Sequence, residues 1–119
     1  MTSSFAPAKG EEAVVTAITI FATFVPKPGC EAEVQHALQA VVPPTRDEPG
    51  CLRFDLYVGR GPDMTFRMFE IFASQQALDA HRETGHYRAY RATVMPLLEL
   101  APVVVTMAPL DAASHVDMP

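Results

Sequence analysis

The chain has 119 residues and a formal net charge of −5, with 14 acidic side chains against 9 lysines and arginines. That balance provides no basic stripe to meet phosphates, which excludes nucleic acid as the partner. No apolar run approaches the ~20 residues that span a bilayer, and residues 1–10 lack a signal-peptide core, so a single cytoplasmic domain away from membranes is expected.

Residues 1–12 are rich in Ser, Ala, Pro and Gly and read as an N-terminal arm with little to bury. Residues 13–25 are rich in Val, Ile, Phe and Thr and form the first predicted strand. Val14, Ile18, Ile20, Ala22 and Phe24 share one face; Val15, Ala17, Phe21 and Val25 share the other. Both faces are largely apolar, so both need cover. Pro26, Lys27, Pro28 and Gly29 make a turn. From Cys30 the apolar residues Val34, Ala37, Leu38 and Val41 recur at helical spacing, with acidic Glu31 and Glu33 in the first turn. Pro43 and Pro44 are expected to kink or end this helix, leaving at most one looser turn through Thr45 and Arg46, and Pro49-Gly50 to turn the chain.

Residues 51–58 alternate, Leu52, Phe54, Leu56 and Val58 against Arg53, Asp55 and Tyr57, and predict a second strand. Residues 59–64 form a hairpin loop and residues 65–72 a third strand. Ser74 caps a short helix with Ala77, Leu78 and His81 inward. Gly85 breaks it, a further helix runs from about His86 to Met95, and residues 102–107 form a last strand. Residues 109–119 read as a tail, which places the folded domain at residues 13–108. Cys30 and Cys51 flank ~17 helical residues, roughly 25 Å at 1.5 Å per residue, too far apart for a disulfide that needs Cα atoms within ~7 Å.

The order βαββααβ is that of an α+β, ferredoxin-like split βαβ fold, with helices on one face of an antiparallel sheet. The apolar second face then has to meet another copy, giving a homodimer with a two-sheet α/β barrel.

Three stretches carry a family resemblance: Glu48-Pro49-Gly50-Cys51-Leu52-Arg53-Phe54-Asp55, then Phe69-Glu70-Ile71-Phe72, then His81-Arg82-Glu83-Thr84-Gly85-His86-Tyr87. In this order and spacing the chain resembles the antibiotic biosynthesis monooxygenase family. The resemblance implies a dimeric α/β barrel with a pocket between sheet and helices in each subunit. It also implies one of several activities: cofactor-free oxygenation of phenols and quinols, haem degradation, or isomerisation of a small phosphorylated metabolite. Haem degradation is not expected, because Ala22, His81 and Arg91 stand at the positions where that branch has Asn, Trp and His. The isomerase branch places a His in the first helix where this chain has Val42. Many relatives carry Trp where Phe72 stands.

The chemistry points to Glu70 first, a carboxylate among Phe66, Met68 and Phe72 that is costly to bury without compensation. The alternation does not settle whether Glu70 or its neighbours Phe69 and Ile71 face the helices. Cofactor-free oxygenation needs a group to deprotonate the substrate in an apolar pocket. His81, Glu70 and His86 are the candidate catalytic residues; Phe54, Met68, Phe72, Tyr87 and Tyr90 are the candidate substrate-binding residues. His86, at a helix start, is expected to stay neutral. No metal is expected on His81, His86 and Glu70, since the histidines are five apart and Gly85 intervenes. No phosphate-binding glycine loop opens a helix, so no flavin is implied. The reading is a cofactor-independent monooxygenase of a small aromatic or quinol, using O₂. The alternatives are a non-oxidative isomerase of a small polar metabolite and a non-catalytic small-molecule-binding protein. Arg53 or Arg67 converging on the pocket would favour the isomerase.

Overall fold

The computed structural model of the protein describes residues 17–113. The chain runs β1 (Ile18–Phe24), α1 (Glu31–Arg46), β2 (Cys51–Val58), β3 (Phe66–Phe72), α2 (Gln75–Arg82), α3 (Gly85–Val94), a 3₁₀ turn (Met95–Leu97) and β4 (Val103–Met107). The described strands form one antiparallel sheet in the order β2-β3-β1-β4. This is the ferredoxin-like α+β arrangement expected from the element order. The arm over residues 1–12 and the first four residues of the predicted first strand lie outside the described residues. So do the last six residues of the predicted tail.

The pairing register sorts the side chains by face. Ile20 stands opposite Glu70 in β3 and Ala22 opposite Met68, while Phe54 of β2 stands opposite Glu70 from the other side. Ile20, Ala22, Phe24, Phe54, Phe66, Met68 and Phe72 are buried with Val34, Leu38 and Val41 of α1, Leu78 of α2 and Val94 of α3. Glu70 therefore lies on the helix-covered face, which the alternation had left open. The other face carries Phe21 and Phe69, packed edge to face at 6.3 Å. It also carries Val103, Val105 and Met107, which stand opposite Thr23, Phe21 and Thr19.

Pro43 and Pro44 do not end α1, which remains helical to Arg46. Two prolines remove two helical donors. Val41 and Thr45 are nevertheless buried, and the Thr45 hydroxyl donates to the Val41 carbonyl at 2.7 Å. Packing of this last turn against the core outweighs the lost bonds. Cys30 and Cys51 are free thiols, and burial pushes the Cys51 thiol up to about 11. Gly50 lies so close to α2 that a Cβ there would stand 2.3 Å from the Ala77 Cβ. Its carbonyl accepts from the Ala73 backbone at 2.8 Å. That close approach brings the turn carrying Glu48 against the helices.

Candidate functional site

A small cavity lies between the sheet and the α2–α3 segment. Ile20, Ala22, Phe54 and Glu70 form its floor, and His81, Arg82, Tyr87, Tyr90 and Arg91 come from the helices, with Val104 of β4 at one side. Its volume is about 40 Å³, room for ordered water and well below the roughly 150 Å³ that takes a benzene-sized molecule.

His81 sits in the last turn of α2 and is 3% exposed. Its ring packs 4.8 Å from Phe72, 5.0 Å from Tyr87 and 5.8 Å from Phe54. Its Nδ1 lies 2.9 Å from Glu48 Oε2, and the same oxygen lies 2.5 Å from His86 Nε2. An ionised carboxylate only accepts, so both rings donate to it. The proton on His81 is thereby assigned to Nδ1, and Nε2 is left with its lone pair, hydrogen-bonded to nothing among the described residues. Burial pushes the His81 pKa down, against the opposing pull of Glu48, and so favours the neutral ring.

The break between α2 and α3 sets this geometry. Thr84 caps α3 by accepting from the Tyr87 backbone at 3.2 Å, and its hydroxyl donates to the His81 carbonyl at 2.7 Å. One side chain thus stitches the end of one helix to the start of the next. The chain turns there, and His81 and His86 converge although they are five residues apart. By spacing alone Gly85 separates the two histidines; in the fold the break brings the rings together, on Glu48 instead of Glu70.

Glu70 is 7% exposed. Burial raises its pKa to about 7, with Arg82 working against the shift and Glu48 adding to it. The carboxyl is therefore able to hold or release a proton near neutrality. Tyr90, partly buried between Phe24 and Tyr87, has its phenol pushed up chiefly by desolvation, and it stays protonated. The Arg91 guanidinium stands 5.9 Å from the Tyr87 ring centre.

Of the residues expected at the site, His81, Glu70, Phe54, Tyr87 and Tyr90 line the cavity. Met68 and Phe72 are fully buried in the core and lie outside its lining, Phe72 acting as a support for His81. His86 shares the Glu48 oxygen with His81, its ring centre 6.2 Å from that of His81, and it lines a groove between α1 and α3 instead of the cavity. Glu48, Arg82 and Arg91 were missed as site residues. Arg53 and Arg67 are not among the lining residues; Arg53 pairs with Asp55 at 2.7 Å.

Residues 17–93 match the family model described as antibiotic biosynthesis monooxygenase. The chain belongs to this family. It is 40% identical over 98 residues to a Mycobacterium tuberculosis protein named "Putative monooxygenase Rv0793", the match covering 82% of this chain and 95% of that one. The solved structure of that protein superposes with a TM-score of 0.79, covering 83% of this chain and all of the other. The structure of PA3566 from Pseudomonas aeruginosa gives 0.76 at 30% identity, covering 82% and 98%. A Bacillus subtilis protein named "Putative monooxygenase YcnE" is 32% identical over 85 residues, covering 71% and 81%. Among the described residues no helix of this family member is long and apolar enough to cross a membrane.

Proposed function

We propose that the protein is a cytoplasmic, cofactor-independent monooxygenase that oxidises a small phenol or quinol with O₂ in the cavity between sheet and helices. The observation that carries this reading is one aromatic-walled cavity holding an imidazole with a free lone pair, His81, and a carboxyl poised near pH 7, Glu70. Two titratable groups pushed in opposite directions by their surroundings make an acid–base pair. His81 Nε2 takes the phenolic proton, and Glu48 stabilises the imidazolium that forms. The Arg82 and Arg91 cations favour the phenolate, which supplies the electrons that O₂ requires. One oxygen atom enters the ring to give a quinone and the other leaves as water, with neutral Glu70 as proton donor. Tyr87 and Tyr90 orient the substrate oxygen. The cavity must widen to admit a ring, and Arg82, Arg91 and Val104 border it on the side away from the core.

A homodimer through the open sheet face completes the proposal. Phe21, Val103, Val105 and Met107 leave 37–53% of their surface exposed, an apolar patch that a second copy would cover. Haem is not the substrate in this reading: Ala22, His81 and Arg91, the positions that differ from the haem-degrading branch, all line the cavity.

A second reading has one specific observation in its favour. Arg82 and Arg91 join the acid–base pair in the cavity, a set that also suits proton shuttling on a small anionic metabolite. Oxygen uptake across a panel of quinols and polyphenols, without added flavin or metal, separates the two. Stoichiometric O₂ consumption supports the oxygenase. Deuterium exchange into an anionic carbonyl compound under anaerobic conditions, with no O₂ uptake on any quinol, supports the isomerase.

A further inference from the structure

We propose that Glu48, His81 and His86 form a binding site for a divalent ion of the zinc class, and that the bound ion turns His81 from a proton acceptor into a donor at the cavity. The three ligand atoms lie within 4.8 Å of one another. Two imidazole nitrogens and one carboxylate oxygen are the donor set that ions of this class prefer, with a fourth position left for water. Tetrahedral zinc at about 2.0–2.1 Å from each ligand needs donor atoms roughly 3.3 Å apart. The present sides of 2.9 Å and 2.5 Å therefore have to open, and the third side, within 4.8 Å, has to come to the same length.

The ligands sit on parts of the chain that allow this. Glu48 lies in the turn before β2 and His86 in the first turn of α3, while His81 is fixed in α2. Exposure rises across the three side chains, from 3% at His81 through 13% at Glu48 to 25% at His86. His86, the exposed end of the cluster, lines the groove of about 270 Å³ between α1 and α3, and Glu48 borders a second depression with Gly50, Ala77 and Thr84, so an ion can arrive without passing through the inner cavity.

The consequence follows from the imidazole itself. His81 now donates through Nδ1 and keeps its lone pair on Nε2. An ion bound at Nδ1 displaces that proton, and a neutral imidazole then carries its hydrogen on Nε2. The cavity loses its proton acceptor. The site itself does not depend on the enzymatic reading; the loss of turnover rests on His81 being the base.

Zinc alone, and cobalt as a coloured substitute, are titrated into the untagged chain and followed by calorimetry and by the cobalt absorption of an N/O site. One ion per chain is expected, with binding lost in His86→Ala, whose side chain is the most exposed of the three, and kept in the double variant His36→Ala/His115→Ala. A ¹H–¹⁵N spectrum of the histidines should show the His81 proton moving from Nδ1 to Nε2 on zinc addition, a readout independent of any substrate. No stoichiometric ion, or binding undiminished in a folded His86→Ala, overturns the site. An unchanged His81 tautomer with zinc bound overturns the switch. Zinc binding with the tautomer change but unaltered turnover upholds the proposal and counts against His81 as the base.

Discussion

The helix-covered face of the sheet and its open face draw on alternate residues of the same strands, yet they carry different chemistry. On the covered face, Ile20, Ala22 and Phe54 surround one carboxyl, Glu70, and the histidine above it is held by a second carboxyl from a distant turn. On the open face, Phe21 and Phe69 pack together beside Val103 and Val105 of the edge strand. An apolar face that contains a polar group needs a reason for it, because an unpaired buried charge is costly. The open face is polar towards Thr23, Arg67, Arg53 and Asp55, and its apolar part around Phe21, Phe69, Val103 and Val105 needs only a cover. The first arrangement suits the candidate site; the second suits the proposed interface. A substitution on one face should therefore leave the other's property intact.

The largest effect is expected at the covered face. His81→Ala should lower turnover by roughly 10²- to 10⁴-fold, the usual worth of a general base, while sedimentation shows the same assembly as the wild type. Lost assembly together with lost turnover would mean that His81 is only a structural residue. On the open face, Phe21→Glu places a charge at the centre of the proposed interface. It should weaken association by roughly 2–4 kcal/mol, about 30- to 1000-fold in the dissociation constant. Analytical ultracentrifugation over a concentration series reads it, and a wild-type chain that is already a stable monomer at micromolar concentration would remove the interface altogether.

A smaller effect concerns pH. The folded-state pKa of Glu70, about 7, lies above its ordinary 4.5, so the folded chain holds a proton that the unfolded chain has released between those values. Unfolding free energy should then fall as pH rises through this window, by at most roughly 3 kcal/mol. Glu70→Gln should remove that slope and be the more stable protein at pH 8. Denaturant titrations at pH 5 and pH 8 check it; identical slopes in both proteins would show that Glu70 is not the titrating group.

What could be read from the chain divides along the same line. The strands and helices were legible because their apolar periodicities are clean and their turns carry Pro and Gly. His81 was legible from its place three residues after Leu78. The face of Glu70 was not, since Phe69 and Ile71 make the alternate face just as apolar; only pairing with Ile20 and Phe54 decides it. Glu48 left no periodic signal, because it lies in a turn 33 residues before His81 and reaches it through the Gly50–Ala77 approach. The convergence of His81 and His86 depends on the Thr84 bridge, and a pattern of spacings does not describe an angle between helices. Pro43 and Pro44 announced the helix end one turn early: the burial of Val41 and Thr45 keeps the turn through Thr45 and Arg46 helical before the chain leaves it.

In the proposed chemistry His81 accepts a phenolic proton inside the cavity. A nitrophenol held below its own pKa tests it directly, since its phenolate absorbs where the neutral form does not. On binding to the wild-type protein the phenolate band should appear, and it should be absent with a folded His81→Gln variant that binds the same ligand. A bound nitrophenol that stays neutral in the wild type, or that ionises equally in the variant, would contradict the account.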